Sequence, residues 1–542
     1  MKIQILQGIN LENNVTTVKI LFDKELKTTI IDEIKNYHPI FLKSYTLNKN
    51  SLQIQTKLPN LWREIAKVLN QNITEKEMKQ IILEKIIRKQ IKSMSTISTL
   101  DIADKMNEEI TAFLVDEEVF TEFGFAQFNR QYCIGCGVRS AITVSSGSSK
   151  DSQLAKQIQT NKYLTNILID RLNMPTASWE EIKSEEHLKK IFNKYNKPVV
   201  IKPTSLTGGH GVNTNIKTID QAITAYKNVI YVLENETKGA QKNKIIIQQQ
   251  VQGDDYRLLV INGKLEAATK RIPAFVLGDG KSTIKELIEK INKDPKRDLN
   301  DPTHTLKPIL IDKALIAFLQ EQNLNLKYIP KNNKKITIRK VASMSQGGIT
   351  EDFTEKTHKN IKHLAESLAQ SLRAYVLGVD VICKDISKPL DINNGAIIEV
   401  NTMPESYLNM FPVLGPQRPQ IAQKFVEGLL DKPVRKIAAI GGKLEQIKKL
   451  TLPLKGNTGI YSSNSLYING LLIKKNTPIE KARQALKINA YLNNIVFHYE
   501  TIDEVKQHGL GFDYINTLYI SKNLKETIKT FEKKFINNIV KF

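Results

Sequence analysis

Cysteine is scarce: Cys133, Cys136 and Cys383 are the only three in 542 residues. Three thiols cannot build a disulfide framework, and so few suit a reducing compartment. Cys133-Ile134-Gly135-Cys136 has the spacing of half a zinc site or of a redox pair, but no second Cys-x-x-Cys and no nearby Cys/His pair completes four ligands. Long apolar runs are missing as well, so no segment reaches the length of a membrane-crossing helix. Met1-Lys2-Ile3-Gln4 reads as the start of a strand and not as a secretory leader, so a cytoplasmic chain without membrane attachment is expected. Acidic residues are in deficit: 56 Asp and Glu face 79 Lys and Arg, a formal net charge of +23. The lysines are dispersed among Glu and Asp, not gathered in a tail or an aromatic-studded stripe, which argues against nucleic acid as a partner. A basic surface does suit anionic nucleotides and polyacidic acceptors, through steering.

What is present supports real cores. The hydrophobic fraction is 41%, and the length allows three or four domains. The apolar run Ala396-Ile397-Ile398 leads into Glu399-Val400-Asn401, and Asp380 closes the strand-like Leu377-Gly378-Val379. Magnesium takes one or two carboxylates together with phosphate oxygens and water, and a carboxylate with Asn two positions on keeps both side chains on one sheet face. Lys197-Pro198-Val199-Val200-Ile201-Lys202-Pro203 reads as a short buried strand delivering Lys202. The glycine-rich Thr207-Gly208-Gly209-His210-Gly211-Val212 follows it. Such a loop lets backbone N–H groups approach phosphate, although it is neither a Walker loop nor a dinucleotide fingerprint. Ile245-Ile246-Ile247-Gln248 is then an apolar strand. Gly253-Asp254-Asp255-Tyr256-Arg257 opens a second strand, which ends in the hairpin signal Asn262-Gly263 before Lys270-Arg271-Ile272-Pro273-Ala274.

In this order the pieces resemble the ATP-grasp ligases, and specifically the ATP-grasp portion of the cyanophycin synthetases, with glutathione synthetases as more distant relatives. The resemblance is dense from about Gly135 to Pro419. It includes Gly278-Asp279-Gly280, Ser282-Thr283-Ile284, Asn292 with Asp294-Pro295, Arg339, Ser345-Gln346-Gly347-Gly348 and Lys388-Pro389. It implies ATP and Mg²⁺ as cofactors and assigns roles by position. Lys162, Lys202, Gly208, Gly209, His210, Gly211, Gln248 and Asp255 would bind the nucleotide. Arg257, Arg271 and Arg339 would be catalytic, near the reacting phosphate and carboxylate, and Asp380, Glu399 and Asn401 would hold magnesium.

Gln248 stands where the family has glutamate beside the adenine, a change implying weaker nucleotide binding but not its loss. His210 replaces arginine, Gly208 histidine, Ser343 asparagine, and Pro404-Glu405 a Pro-Gly pair, so the acceptor pocket departs from the family more than the nucleotide site does.

The implied organisation is multidomain, α/β and α+β. It comprises an N-terminal α+β domain (1–125), an ATP-grasp domain (126–430) and a small α/β segment (433–542) resembling a degenerate Mur-ligase-like remnant. In the family that last portion binds a second ATP through a P-loop. Here Lys436-Ile437-Ala438-Ala439-Ile440 is followed only by Gly441-Gly442-Lys443-Leu444, short of the full loop and its hydroxyl. A basic amphipathic helix is expected around Lys76 to Lys92.

The resemblance implies amide-bond formation through an acyl phosphate, with an amino acid and a peptide or small carboxylate as substrates, and a homo-oligomer. A ligase of the glutathione or dipeptide type, or a non-catalytic partner of a complete synthetase, are the alternatives.

Overall fold

The computed structural model describes residues 1–6, 16–26, 29–87, 94–112, 131–159, 162–204, 206, 211–236, 244–297, 306–524 and 536–542. They divide into two compact units, Met1–Ser145 with Ala422–Phe542, and Ser146–Ile421.

In the first unit, strands Lys2–Leu6, Thr16–Leu21, Ser51–Thr56 and Ser44–Asn48 lie in that spatial order as an antiparallel sheet. Val18 and Ile20 alternate inward on Thr16–Leu21, as the period of two requires. Helix Ile30–Tyr37 contributes buried Ile30, Ile31 and Ile34, and helix Pro59–Leu69 contributes Trp62, whose indole N–H donates to the Phe41 carbonyl at 2.7 Å. The expected helix near Lys76 is real but irregular. Glu75–Lys79 is α-helical, started by a capping box between Thr74 and Glu77, and Gln80–Ile87 widens into a π-helix; residues 88–92 lie outside the described set.

The last 110 or so residues of the same unit build a seven-stranded sheet. Its order is Leu471–Lys474, Ser465–Ile468, Thr458–Ser462, Asn494–Tyr499, Arg435–Ile440, Ile515–Ile520, Ile536–Lys541. From Thr458–Ser462 onward neighbouring strands are parallel, as an α/β layer requires. Arg435–Ile440 ends in Gly441 and Gly442, both at positive φ (76° and 79°), and helix Leu444–Thr451 follows.

The second unit holds two larger antiparallel sheets. The four-stranded one runs Asn213–Ile216, Val199–Pro203, Ile245–Gln249, Trp179–Ile182, and helix Ile219–Glu236 buries Ala222, Ala225 and Val229 in the same core. The five-stranded one runs Ile349–Asp352, Lys264–Ile272, Asp254–Ile261, Val376–Cys383, Gly395–Thr402. Helix Lys359–Leu372 covers it with Ile361, Ala365, Leu368 and Leu372, spaced four, three and four apart, and each large apolar side chain so buried is worth about 1.5–3 kcal/mol. The Asn262-Gly263 hairpin forms as expected, both residues at positive φ (49° and 75°).

One expectation needs correcting. Asp380 does not close a short strand: it lies within Val376–Cys383, because Val381, Ile382 and Cys383 stay in register with Asp254–Tyr256.

Candidate active site

Cross-strand register puts a set of charged groups on one face of the five-stranded sheet. Asp380 lies opposite Arg257 on one side and opposite Glu399 on the other, Asp255 lies opposite Arg271, and Asn401 follows Glu399 by two. Directly opposed residues share a face, and so do residues two apart on one strand. The register slips between Asp380 and Val381, a bulge that lets Glu399 and Asp380 remain opposite each other.

Side-chain contacts bind this face together. Arg257 donates through Nε to Asp380 Oδ1 and through a terminal nitrogen to Oδ2 at 3.1 Å. Arg271 donates to Asp255 Oδ1 from Nε at 3.1 Å and from a terminal nitrogen at 2.6 Å, and that nitrogen also reaches Asp380 Oδ2 at 3.1 Å. Burial alone would raise the Asp380 carboxyl, but Arg257 and Arg271 outweigh it and hold it below the ordinary carboxylate range. Asp255 goes the other way: burial, with the nearby Asp380 charge, raises it against the pull of Arg271.

Two lysines come to the same place from the other sheet and its neighbouring helix. Lys162 opens helix Lys162–Arg171; its backbone N–H donates to the Thr204 carbonyl at 3.0 Å and its ammonium lies 3.5 Å from Glu399. Lys202 is buried on Val199–Pro203. Desolvation, reinforced by Lys162 and opposed by Glu399, lowers its pKa to about 8. Among the described residues Gln248, on the adjacent strand, is buried with Nε2 unpartnered, and Asn401 has Nδ2 buried and unpartnered. Orphaned buried donors carry a desolvation cost that a bound group can relieve.

Arg339 is not brought into this set. It forms a two-pronged ion pair with Asp312 (2.8 and 2.9 Å) and also donates to the Leu310 carbonyl at 2.5 Å, leaving Nε buried and unpartnered. Gly208, Gly209 and His210 lie outside the described residues, and Gly211 follows them at φ +70°.

Sequence reasoning passed over three residues here. Asn409 clamps the Arg257 strand to its neighbour, donating from Nδ2 to the Arg257 carbonyl (3.1 Å) and to Thr269 Oγ1 (2.8 Å). Asn166, one turn beyond Lys162, is buried with Nδ2 unpartnered. Gly378 leaves room for the Arg257 side chain: a Cβ there would sit 3.0 Å from Arg257 Cδ and 2.9 Å from Pro404 Cβ. A glycine inside Val376-Leu377-Gly378-Val379 was the available signal.

Two carboxylates and an amide are hard oxygen donors of the kind magnesium takes together with phosphate oxygens. Among the described residues no group of three or more His, Cys, Asp or Glu is gathered for a metal, so a complete all-protein cage is not on offer. Both Asp380 oxygens already accept from arginine, which leaves Glu399, held among the described residues by one lysine at 3.5 Å, as the less committed carboxylate. The set fits magnesium as a shared site, incomplete without phosphate oxygens.

Residues 160–270 match the family model described as phosphoribosylglycinamide synthetase, ATP-grasp (A) domain. The chain is 31% identical over 351 residues to cyanophycin synthetase of Synechocystis sp., covering 63% of this chain and 39% of that protein. It is 32% identical over 272 residues to the glutathione biosynthesis bifunctional protein GshAB of Clostridium perfringens, covering 50% and 34%. A bifunctional glutathione synthetase from Pasteurella multocida superposes with a TM-score of 0.47 at 22% identity, covering 66% of this chain and 46% of that one. The chain thus spans about two fifths of the curated relatives it matches. It resembles the ATP-grasp portion of cyanophycin synthetases, and its fold is mixed α/β and α+β. Among the described residues no helix is long and apolar enough to cross a membrane.

Proposed function

We propose that this ATP-grasp chain is an ATP-dependent carboxylate–amine ligase. A carboxylate is a poor electrophile. Transfer of the γ-phosphoryl group of ATP to its oxygen gives an acyl phosphate and ADP; an amine then attacks the carbonyl, loses a proton, and expels phosphate to leave an amide. No nucleophilic side chain is needed, and the protein contributes position and charge.

The observation that carries this reading is the single sheet face holding Asp255, Arg257, Arg271, Asp380, Glu399 and Asn401, with Lys162 and Lys202 beside Glu399. In it Lys162 and Lys202 hold the phosphates of ATP, Asp255 faces the ribose, and Gln248 Nε2 has a donor to offer the base. Arg257 and Arg271 keep Asp380 ionised and offset charge on the transferring group. Asp380, Glu399 and Asn401 would hold magnesium, which when bound neutralises phosphate charge. Arg339 is a catalytic group in this reading by its position in the sequence alone, since its guanidinium is taken up by Asp312 and the Leu310 carbonyl.

The substrates proposed are a free amino acid and a peptide or small carboxylate, acted on in the cytoplasm by a homo-oligomer. The cyanophycin synthetase likeness favours a peptide carboxylate, whereas the similarity to GshAB keeps a glutathione-type substrate as the second reading. ADP release screened over amino acids and short acidic peptides, with products weighed by mass spectrometry, tests both. The expected product is the sum of two substrates less one water; no ATP turnover with any pair would replace the ligase with a regulatory nucleotide binder.

A further inference from the structure

In the first unit the segments Met1–Ser145 and Ala422–Phe542 meet around a cavity of about 60 Å³, walled by Lys57, Glu109, Glu480, Arg483, Lys487 and Asp513 among others. That volume is enough for a few waters or one small ion, at about 10–15 Å³ per water by the same measure. Most of its charges are paired. Lys57 binds Asp513 at 2.9 Å and lies 3.5 Å from Asp104, and Lys487 binds Glu109 at 2.7 Å. Lys436, behind the wall, is 3.8 Å from Glu109, and Glu480 is taken up by Arg63. The Asp513 backbone N–H donates to Glu109 Oε1 at 3.0 Å.

Arg483 stands apart. It is 5% exposed, and its guanidinium is bound by neutral groups alone: the Tyr499 hydroxyl at 2.9 Å and the Gly509 carbonyl at 2.7 Å, both from one terminal nitrogen. Its Nε is buried without a partner, and among the described residues no carboxylate pairs with it. An arginine cannot shed its proton, and a buried charge without a counter-ion is strongly unfavourable. Its neighbours do not supply one, because the three wall carboxylates are already engaged by other cations: Asp513 by Lys57, Glu109 by Lys487 and Glu480 by Arg63. A guanidinium is also the side chain best shaped for two-pronged contact with an oxyanion.

We propose that this cavity is a binding site for one small oxyanion, of carboxylate or phosphate type, whose counter-charge is Arg483. The occupant neutralises the spare cation at the junction of the two chain segments, so its binding tightens the unit.

The test uses the full chain carrying Lys202→Met, which disables the proposed nucleotide site, at constant ionic strength in chloride. Inorganic phosphate and acetate are the two probes. A melting midpoint that rises by about 2–4 °C at roughly tenfold excess over the dissociation constant supports the site, provided Arg483→Gln abolishes the rise. A rise with phosphate alone assigns a phosphate site, and a rise with acetate alone a carboxylate site. No rise with either, or a rise that persists in Arg483→Gln, overturns the proposal. Should Arg483→Gln not fold, crystals of the Lys202→Met protein grown in selenate and, separately, in bromoacetate decide it: an anomalous peak beside Arg483 with either supports the site, and an empty cavity with both refutes it.

Discussion

Replacing Lys202 with methionine should make the protein more stable and a worse ATP binder. Lys202 is buried on its strand, and desolvation together with the Lys162 charge lowers its pKa from 10.5 to about 8, with Glu399 opposing. At neutral pH the folded chain still holds a charged ammonium, but in surroundings that favour the charge less than water does. The gap between 10.5 and about 8, at about 1.36 kcal/mol per pH unit, corresponds to about 3 kcal/mol of folding free energy lost below pH 8. Methionine has similar length and no charge, so Lys202→Met should recover much of that.

The pH dependence makes the reasoning refutable. Between about pH 8 and 10.5 the unfolded chain binds the proton and the folded chain does not, so wild-type stability rises with pH across this window. The advantage of Lys202→Met should be full at pH 7 and fade through the same window. Denaturant unfolding of the Ser146–Ile421 unit, followed by hydrogen exchange of the Val199–Pro203 and Ile245–Gln249 amides, gives the number locally. Phosphates beside the lysine favour its charged form, so calorimetry of ATP binding should show proton uptake above pH about 9 and little at pH 7. A variant no more stable than wild type at pH 7, or one whose advantage grows with pH, would refute the account of Lys202.

Several parts of this site were legible in the chain because they are local. The Asn262-Gly263 turn requires two positive φ values, and the consecutive branched residues Val199-Val200-Ile201 suit a short buried strand. Other parts depend on pairings across long sequence separations. That Asp380 is gripped by Arg257 and Arg271 follows from the register of strands more than a hundred residues apart, and nothing near Asp380 announces it. Arg339 was placed with the reacting groups by position, whereas its fork meets Asp312, the N-cap of helix Lys313–Glu321. The union of Met1–Ser145 with Ala422–Phe542 was hidden for the same reason, since it runs through Lys57 with Asp513 and Glu109 with Lys487.

Three further outcomes are expected. Glu399→Gln, near-isosteric but uncharged, should abolish ligation while leaving the fold intact; activity within about tenfold of wild type at saturating Mg²⁺, a loss of only ~1.4 kcal/mol in the transition state, would remove Glu399 from the metal set. Gly378→Ala should cost about 1–3 kcal/mol by overpacking against Arg257 Cδ and Pro404 Cβ, and should lower turnover through displaced Arg257; unchanged melting and kinetics would show that this strand yields freely. Finally, the full chain should bind one Mg-ATP, in the Ser146–Ile421 unit, and none at Gly441-Gly442-Lys443. That turn passes directly into helix Leu444–Thr451, the Gly441 N–H is spent on the Tyr499 carbonyl and the Lys443 N–H on Gln446 Oε1, both at 2.8 Å, and a Cβ on Gly442 would already lie 2.8 Å from the Phe542 ring, so among the described residues the turn offers few donors and little space for a phosphate cradle. Titration calorimetry giving two nucleotides per chain, with one surviving Lys202→Ala, would place a second nucleotide site elsewhere and defeat that reasoning.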